Sequence, residues 1–125
     1  MTKLDAVIFD FFGVICSEIA PAWLDLHLTP SEAIDVKARI VGDADRGRIS
    51  TAQMFEALAI ATSVPADRIE REWHAAARID AEMVDLVRRL AKKTRLGLLT
   101  NAPAEFFRPI FSRARLDDVF ASVVI

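Results

Sequence analysis

A single cysteine, Cys16, excludes an internal disulfide. No apolar run approaches the roughly 20 residues that a membrane-spanning helix requires. Met1-Thr2-Lys3 leads straight into a strand-like run, without the pattern of a secretory signal. The expectation is a soluble, cytoplasmic protein without a membrane partner. An excess of basic charge is also missing. Sixteen Lys and Arg stand against eighteen Asp and Glu, for a net charge of −2 and a pI near 5.7, which argues against a nucleic-acid partner. There is no internal repeat, low-complexity tract or flexible linker. What remains is a chain of 125 residues with 53% hydrophobic side chains and a mean hydropathy of +0.27. That suits one domain, or a small core carrying an insertion.

The stretch from Leu4 to Ile15 (LDAVIFDFFGVI) organises the rest. Ala6-Val7-Ile8-Phe9 is a short apolar run rich in β-branched residues, as expected for a strand buried on both faces. It ends on Asp10 and turns at Gly13. A carboxylate there either caps the turn or stands where open α/β sheets bind ligands.

Beyond Asp10 the pattern becomes helical. Ile19, Trp23 and Leu26 form one apolar stripe, with Pro21 in a first turn. Thr29-Pro30-Ser31-Glu32 is a capping box for a helix that carries Ala33, Val36 and Ile40 and should stop at Gly42. The segment Asp43 to Arg48 reads as a loop. Ser50-Thr51-Ala52-Gln53 is a second capping box, with Ile49 placed to staple against Met54. Met54, Phe55, Leu58 and Ala61 form the buried face of the third helix. A fourth helix begins near Pro65 and offers Ile69, Trp73 and Ala76 or Ala77.

Asp80 can cap the following helix, whose apolar face is Met83, Val84, Val87 and Leu90. Arg88, Arg89, Lys92 and Lys93 crowd its last turns, where they favour the helix dipole. Leu96 to Leu99 makes a second buried strand ending on Thr100-Asn101. Ala104 to Ala114 is helical, with Pro109 either in the first turn or at a kink. Ala121 to Ile125 is a third β-rich run. The order strand, helical insertion, helix, strand, helix, strand predicts a parallel α/β sheet with right-handed crossovers.

Two strands thus end in reactive side chains, Asp10 and Thr100-Asn101. In a parallel sheet both ends lie on one rim, and neighbouring strands are about 4.8 Å apart. A carboxylate can act as a nucleophile. A threonine hydroxyl with the backbone N–H groups beyond it can hold phosphoryl oxygens. Thr100-Asn101 alone reads equally well as a strand-to-helix turn with an N-cap.

With these motifs in order, the sequence resembles the haloacid dehalogenase (HAD) superfamily, which consists mostly of phosphatases. The first motif matches the apolar strand followed by Asp10-Phe11-Phe12-Gly13-Val14, and the second matches Leu98-Leu99-Thr100-Asn101. The run Leu116 to Ile125 resembles the lead into the third. The resemblance implies a Rossmann-like (HAD-like) core with three parallel strands, formed by residues 1–16 and 80–125. It also implies a four-helix cap inserted at 17–79. Asp10 would be the nucleophile and a ligand of Mg2+, and Phe12 a second metal ligand through its backbone carbonyl. Thr100 and Asn101 would bind the phosphoryl group of a small-molecule substrate, through an aspartyl-enzyme intermediate.

Three departures concern activity. Phosphatases of this family usually carry an aspartate two residues after the nucleophile, as general acid and base; here that residue is Phe12. Proton transfer of this kind contributes roughly 10²–10⁴-fold. The lysine of the third motif and the acidic fourth motif have no counterparts, as in a truncated member whose activity is impaired. Without the later strands, Val7, Ile8 and Phe9 would lie on an exposed sheet edge, open to self-association. Two alternatives stand beside the phosphatase: a 2-haloacid dehalogenase-type hydrolase, whose family members carry a tyrosine at the Phe12 position, and a catalytically silent HAD-like binding domain. His27, His74 and Cys16 read as structural. Trp23 and Trp73 read as packing residues of the insertion, with lining of a substrate pocket under it as the alternative. Asp43 and Asp45 near Gly47 do not fit a calcium loop.

Overall fold

The structure is a computed structural model that describes residues 5–125; Met1-Thr2-Lys3 and Leu4 lie outside the described residues. The element order is β1 (Ala6–Phe9), α1 (Ala20–His27), α2 (Pro30–Val36), a π turn (Lys37–Val41), α3 (Gly42–Asp45), α4 (Thr51–Thr62), α5 (Ala66–Ala76), α6 (Ala81–Ala91), β2 (Arg95–Leu99), α7 (Ala104–Arg113) and β3 (Ser122–Val124). The three strands form one parallel sheet in the order β1-β2-β3, with Phe9 opposite Leu98 and Leu98 opposite Val123. This is the α/β arrangement that the strand and helix pattern predicts.

The sheet is covered on one face only. Val7 and Phe9 are half-buried and their partners Leu96 and Leu98 are fully buried, whereas Ile8 is 72% and Leu99 52% exposed. The expectation that β1 is buried on both faces is therefore corrected, and β2 likewise buries only alternate residues. Right-handed crossovers, the rule for parallel strands, put α6 and α7 on one side of the sheet, in keeping with the exposure of Ile8 and Leu99 on the other. β1 lies at the sheet edge, as expected, yet its exposure is a matter of face: Ile8 is open while Val7 and Phe9 pack on the core.

The helices between Ser17 and Ile79 leave and rejoin the sheet layer at one neck. Cys16 bridges Ile79 in antiparallel fashion, the Ser17 N–H donates to Arg78 O at 2.9 Å, and the Asp80 N–H donates to Ile15 O at 2.8 Å. The Ser17 hydroxyl donates to Ala76 O and accepts from the Arg78 N–H. Both capping boxes form as read: Thr29 with Glu32, and Ser50 with Gln53. Asp80 caps α6 by accepting from the Glu82 and Met83 N–H groups.

Gly42 does not stop its helix. Its backbone stays helical (φ −59°, ψ −38°), and the Arg46 guanidinium occupies the space its missing side chain leaves. The stop comes at Gly47 (φ +73°), where the Gly47 N–H bonds Ala44 O and the Arg48 N–H bonds Asp43 O. That is a Schellman motif, so Asp43 to Asp45 are helical and the loop is shorter than expected. Between α2 and α3 the π turn bonds each N–H five residues back, stacking residues five apart. Val41 is consequently buried beneath Val36, and Ile40 is only half-buried. Leu26 (80% exposed) and Ala61 also face solvent; Leu24 takes the buried place on α1. Pro109 lies inside α7, on its exposed side.

Helices and sheet share one hydrophobic core. Phe11, with no exposed surface, stacks on Phe12 at 5.0 Å and meets Phe107 edge-on at 5.1 Å. Phe106 of α7 packs against Phe55 of α4 and Trp73 of α5. This aromatic seam joins α7 to the helical excursion, and so fixes both walls of the cavity above it.

Candidate active site

The turn after β1 is built to present Asp10. The Phe11 carbonyl accepts from the N–H groups of Val14, Ile15 and Cys16, and the Gly13 N–H donates to Cys16 O. Gly13 has φ +86°, a conformation that disfavours a side chain, and an added Cβ would stand 3.3 Å from Glu18. Among the described residues no backbone N–H donates to the Phe12 carbonyl. The Asp10 Oδ1 accepts from the Phe11 N–H at 2.7 Å, which orients the carboxylate at the exposed end of the strand.

Carried on by one residue, the Phe9–Leu98 register sets Asp10 level with Leu99 and one residue short of Thr100. The Thr100 N–H is tied to Val124 O at 3.0 Å, and the residue is only 3% exposed. Its hydroxyl is buried with no partner among the described residues, an arrangement that costs about 1–3 kcal/mol unless something accepts the bond. Asn101 is exposed beside it.

These residues meet in a cavity of about 560 Å³. Asp10, Phe12, Thr100, Asn101 and Phe106 line its sheet side; Glu18, Lys37, Val41, Asp45, Met54 and Trp73 line its helical side. All four residues singled out in the sequence, Asp10, Phe12, Thr100 and Asn101, are thus brought together. Trp73 both packs and lines the cavity, and its indole Nε1 is buried without a partner. Trp23 does behave as a packing residue, its Nε1 bonded to Glu72 at 2.7 Å. His27 lies against Trp23, and His74 against Phe106. Burial pushes the Cys16 thiol up, as suits an inert buried thiol.

The residues that sequence reasoning missed are Lys37 and Asp45. In an α-helix positions four apart drift by about 40° around the axis. The wider π turn takes up that drift, so Lys37, Val41 and Asp45 all reach one cavity wall. Desolvation by burial is the main influence on Asp45, and it raises the carboxyl from its usual range to about 6 even though Lys37 and Arg46 pull the other way. The signal is the polar trio Asp43, Asp45 and Arg46, which reads as a loop in the sequence and forms the end of a helix in the structure.

A Mg2+ ion would find two hard oxygens here, the Asp10 carboxylate and the unbonded Phe12 carbonyl, against the near-octahedral set it demands. Among the described residues there is no cluster of three or more His, Cys, Asp or Glu side chains able to hold a metal. The fit covers part of the coordination shell, with water or substrate oxygens left to complete it.

No family model matches the sequence, and no curated protein matches it. Solved structures do. A HAD-family enzyme from Bacteroides thetaiotaomicron, in complex with magnesium and inorganic phosphate, superposes with a TM-score of 0.75 at 17% identity, over 98% of this chain and 69% of that one. A predicted HAD-like hydrolase from Porphyromonas gingivalis gives 0.64 at 20% identity, over 98% and 66%. The L-2-haloacid dehalogenase of Xanthobacter autotrophicus, with chloropropionic acid covalently bound, gives 0.60 at 17% identity, over 98% and 56%. The chain has the fold that these solved structures share. The chain spans between 56% and 69% of the length of these three solved chains. No helix among the described residues is long and apolar enough to cross a membrane.

Proposed function

We propose that this chain carries the nucleophile-bearing part of a HAD-like hydrolase that acts on a small phosphorylated, or otherwise activated, metabolite. One observation carries the reading: the oriented Asp10 carboxylate shares a cavity with Thr100, whose buried hydroxyl lacks a partner. In this reading Asp10 attacks the phosphorus as the bond to the leaving group breaks, and water then hydrolyses the aspartyl intermediate to inorganic phosphate and free Asp10. Thr100 and Asn101 hold the phosphoryl oxygens. Asp10 and the Phe12 carbonyl would hold Mg2+, which neutralises charge on the transferring group. Residues 17–79 serve as the cap over a core formed by 1–16 and 80–125.

Phe12 favours a second reading within the same class. An aromatic side chain cannot transfer a proton, and halide leaves without one, so a 2-haloacid is the alternative substrate class. The open edge of β1 supports pairing with a second copy; light scattering that finds only monomer at high concentration removes that part.

The chain should be assayed on phosphomonoesters and 2-haloacids, with Mg2+ and with a chelator. Chelator-sensitive phosphate release supports the first reading, and metal-independent halide release the second. Asp10→Asn should lower either turnover by at least about 10⁴-fold. Turnover that survives the substitution overturns both, and no turnover on either panel leaves a silent HAD-like binding domain.

A further inference from the structure

Phe12 removes the usual proton carrier from the sheet side of the cavity, so the question is whether the opposite side supplies one. A nucleophile on Asp10 expels its leaving group roughly in line, on the far side of the attacked atom. Beyond the sheet rim, the rest of the cavity lining is the helical wall. It offers two carboxylates, Glu18 and Asp45. Glu18 is exposed and lies against the Gly13 turn, close to the chain segment that bears the nucleophile. Asp45 is half-buried on the face that the π turn aligns, with Lys37 two turns before it. The charged groups around Asp45 are Lys37 on the π turn, Arg46 beyond α3, Arg108 of α7 on an adjoining cavity, and Asp10 and Glu18 across the main one.

Resting on the hydrolase reading above, we propose that Asp45 transfers the proton that Phe12 cannot, and that the substrate is therefore an ester of an unactivated alcohol. The Asp10 carboxylate forms a bond to phosphorus as the bond to the leaving oxygen breaks, and the Asp45 carboxyl gives its proton to that oxygen. In the second half the Asp45 carboxylate takes a proton from water as the water oxygen attacks phosphorus. The bond to Asp10 breaks, and alcohol and inorganic phosphate are the products. Burial keeps this carboxyl protonated to about pH 6, which places it near the range where donation and recovery of a proton are both feasible.

The experiment compares glycerol phosphate, whose leaving alkoxide needs a proton, with 4-nitrophenyl phosphate, whose leaving group does not. Asp45→Asn should lower kcat/KM on glycerol phosphate by about 10²-fold or more, while first-turnover release of nitrophenolate changes by less than about threefold. Steady-state turnover of the nitrophenyl ester should then show a burst, because hydrolysis of the intermediate has lost its base. Asp45→Glu should recover part of the loss. An equal loss on both substrates, no loss on either, or the same leaving-group dependence produced by Glu18→Gln instead, overturns the assignment. Asp10→Asn separates the two levels. If it abolishes turnover while Asp45→Asn shows no leaving-group dependence, only the role of Asp45 falls. If the unsubstituted chain turns over neither ester, the phosphoester reading falls and takes this role with it.

Discussion

The two walls of the cavity are built on different principles. The sheet wall places Asp10 and Thr100 at the ends of adjacent parallel strands, where register alone brings them together. The helical wall brings Lys37, Val41 and Asp45 onto one side by distorting a helix, and seats Trp73 in an aromatic seam shared with Phe106. Each wall carries an energetic liability: an unpartnered hydroxyl on one, a desolvated carboxyl on the other. Groups that cost stability and sit in one cavity are more readily explained by a ligand than by packing.

The seam between the walls should carry the largest stability effect. Phe107 is fully buried and touches Phe11, Phe12 and Phe111, so Phe107→Ala should destabilise by about 3–5 kcal/mol in denaturant unfolding. A loss below about 1 kcal/mol would show that Phe107 does not anchor α7 to the turn after β1.

On the sheet wall, Thr100→Val removes the orphaned hydroxyl while keeping the shape. The variant should be as stable as the parent, or more stable by about 1 kcal/mol. It should also bind inorganic phosphate about tenfold more weakly, a loss of one hydrogen bond. Lower stability with unchanged phosphate affinity would make Thr100 a structural residue.

On the helical wall the effect depends on pH. The folded carboxyl of Asp45 titrates near 6, above the ordinary value of 3.8, so the folded state holds a proton that the unfolded state has released. Stability contributed by this group is therefore present below about pH 4 and lost as pH rises to about 6. Asp45→Asn should be more stable than the parent at pH 7, by about 1 kcal/mol once solvent screening of a half-exposed group is allowed for. The advantage should vanish at pH 3.5 in paired urea titrations. An advantage independent of pH would mean that the gain does not come from the charge.

The smallest effect belongs to the open face of the sheet. Ile8→Thr keeps the β-branched shape at a 72% exposed position, so it should change stability by less than about 0.5 kcal/mol. A larger loss would mean that this face is covered in solution.

Much of the core was legible because its signals are local. Both capping boxes, the Asp80 cap and the strand ends at Asp10 and Thr100 depend on neighbouring residues, and each forms as read. Leu26 and Ala61 failed because apolar spacing cannot say how wide a buried stripe is. Gly42 failed because a glycine can also serve as a slot for a neighbour, here the Arg46 guanidinium.

By itself the sequence determined the α/β order, the parallel sheet and the meeting of Asp10 with Thr100 and Asn101, since strand direction and side-chain spacing are set by the chain. Only the tertiary structure decided which sheet face is covered, that a π turn faces the cavity, and that Asp45 shares the cavity of the nucleophile. Those outcomes depend on where helices distant in sequence come to rest, and on how much water they exclude from the groups between them.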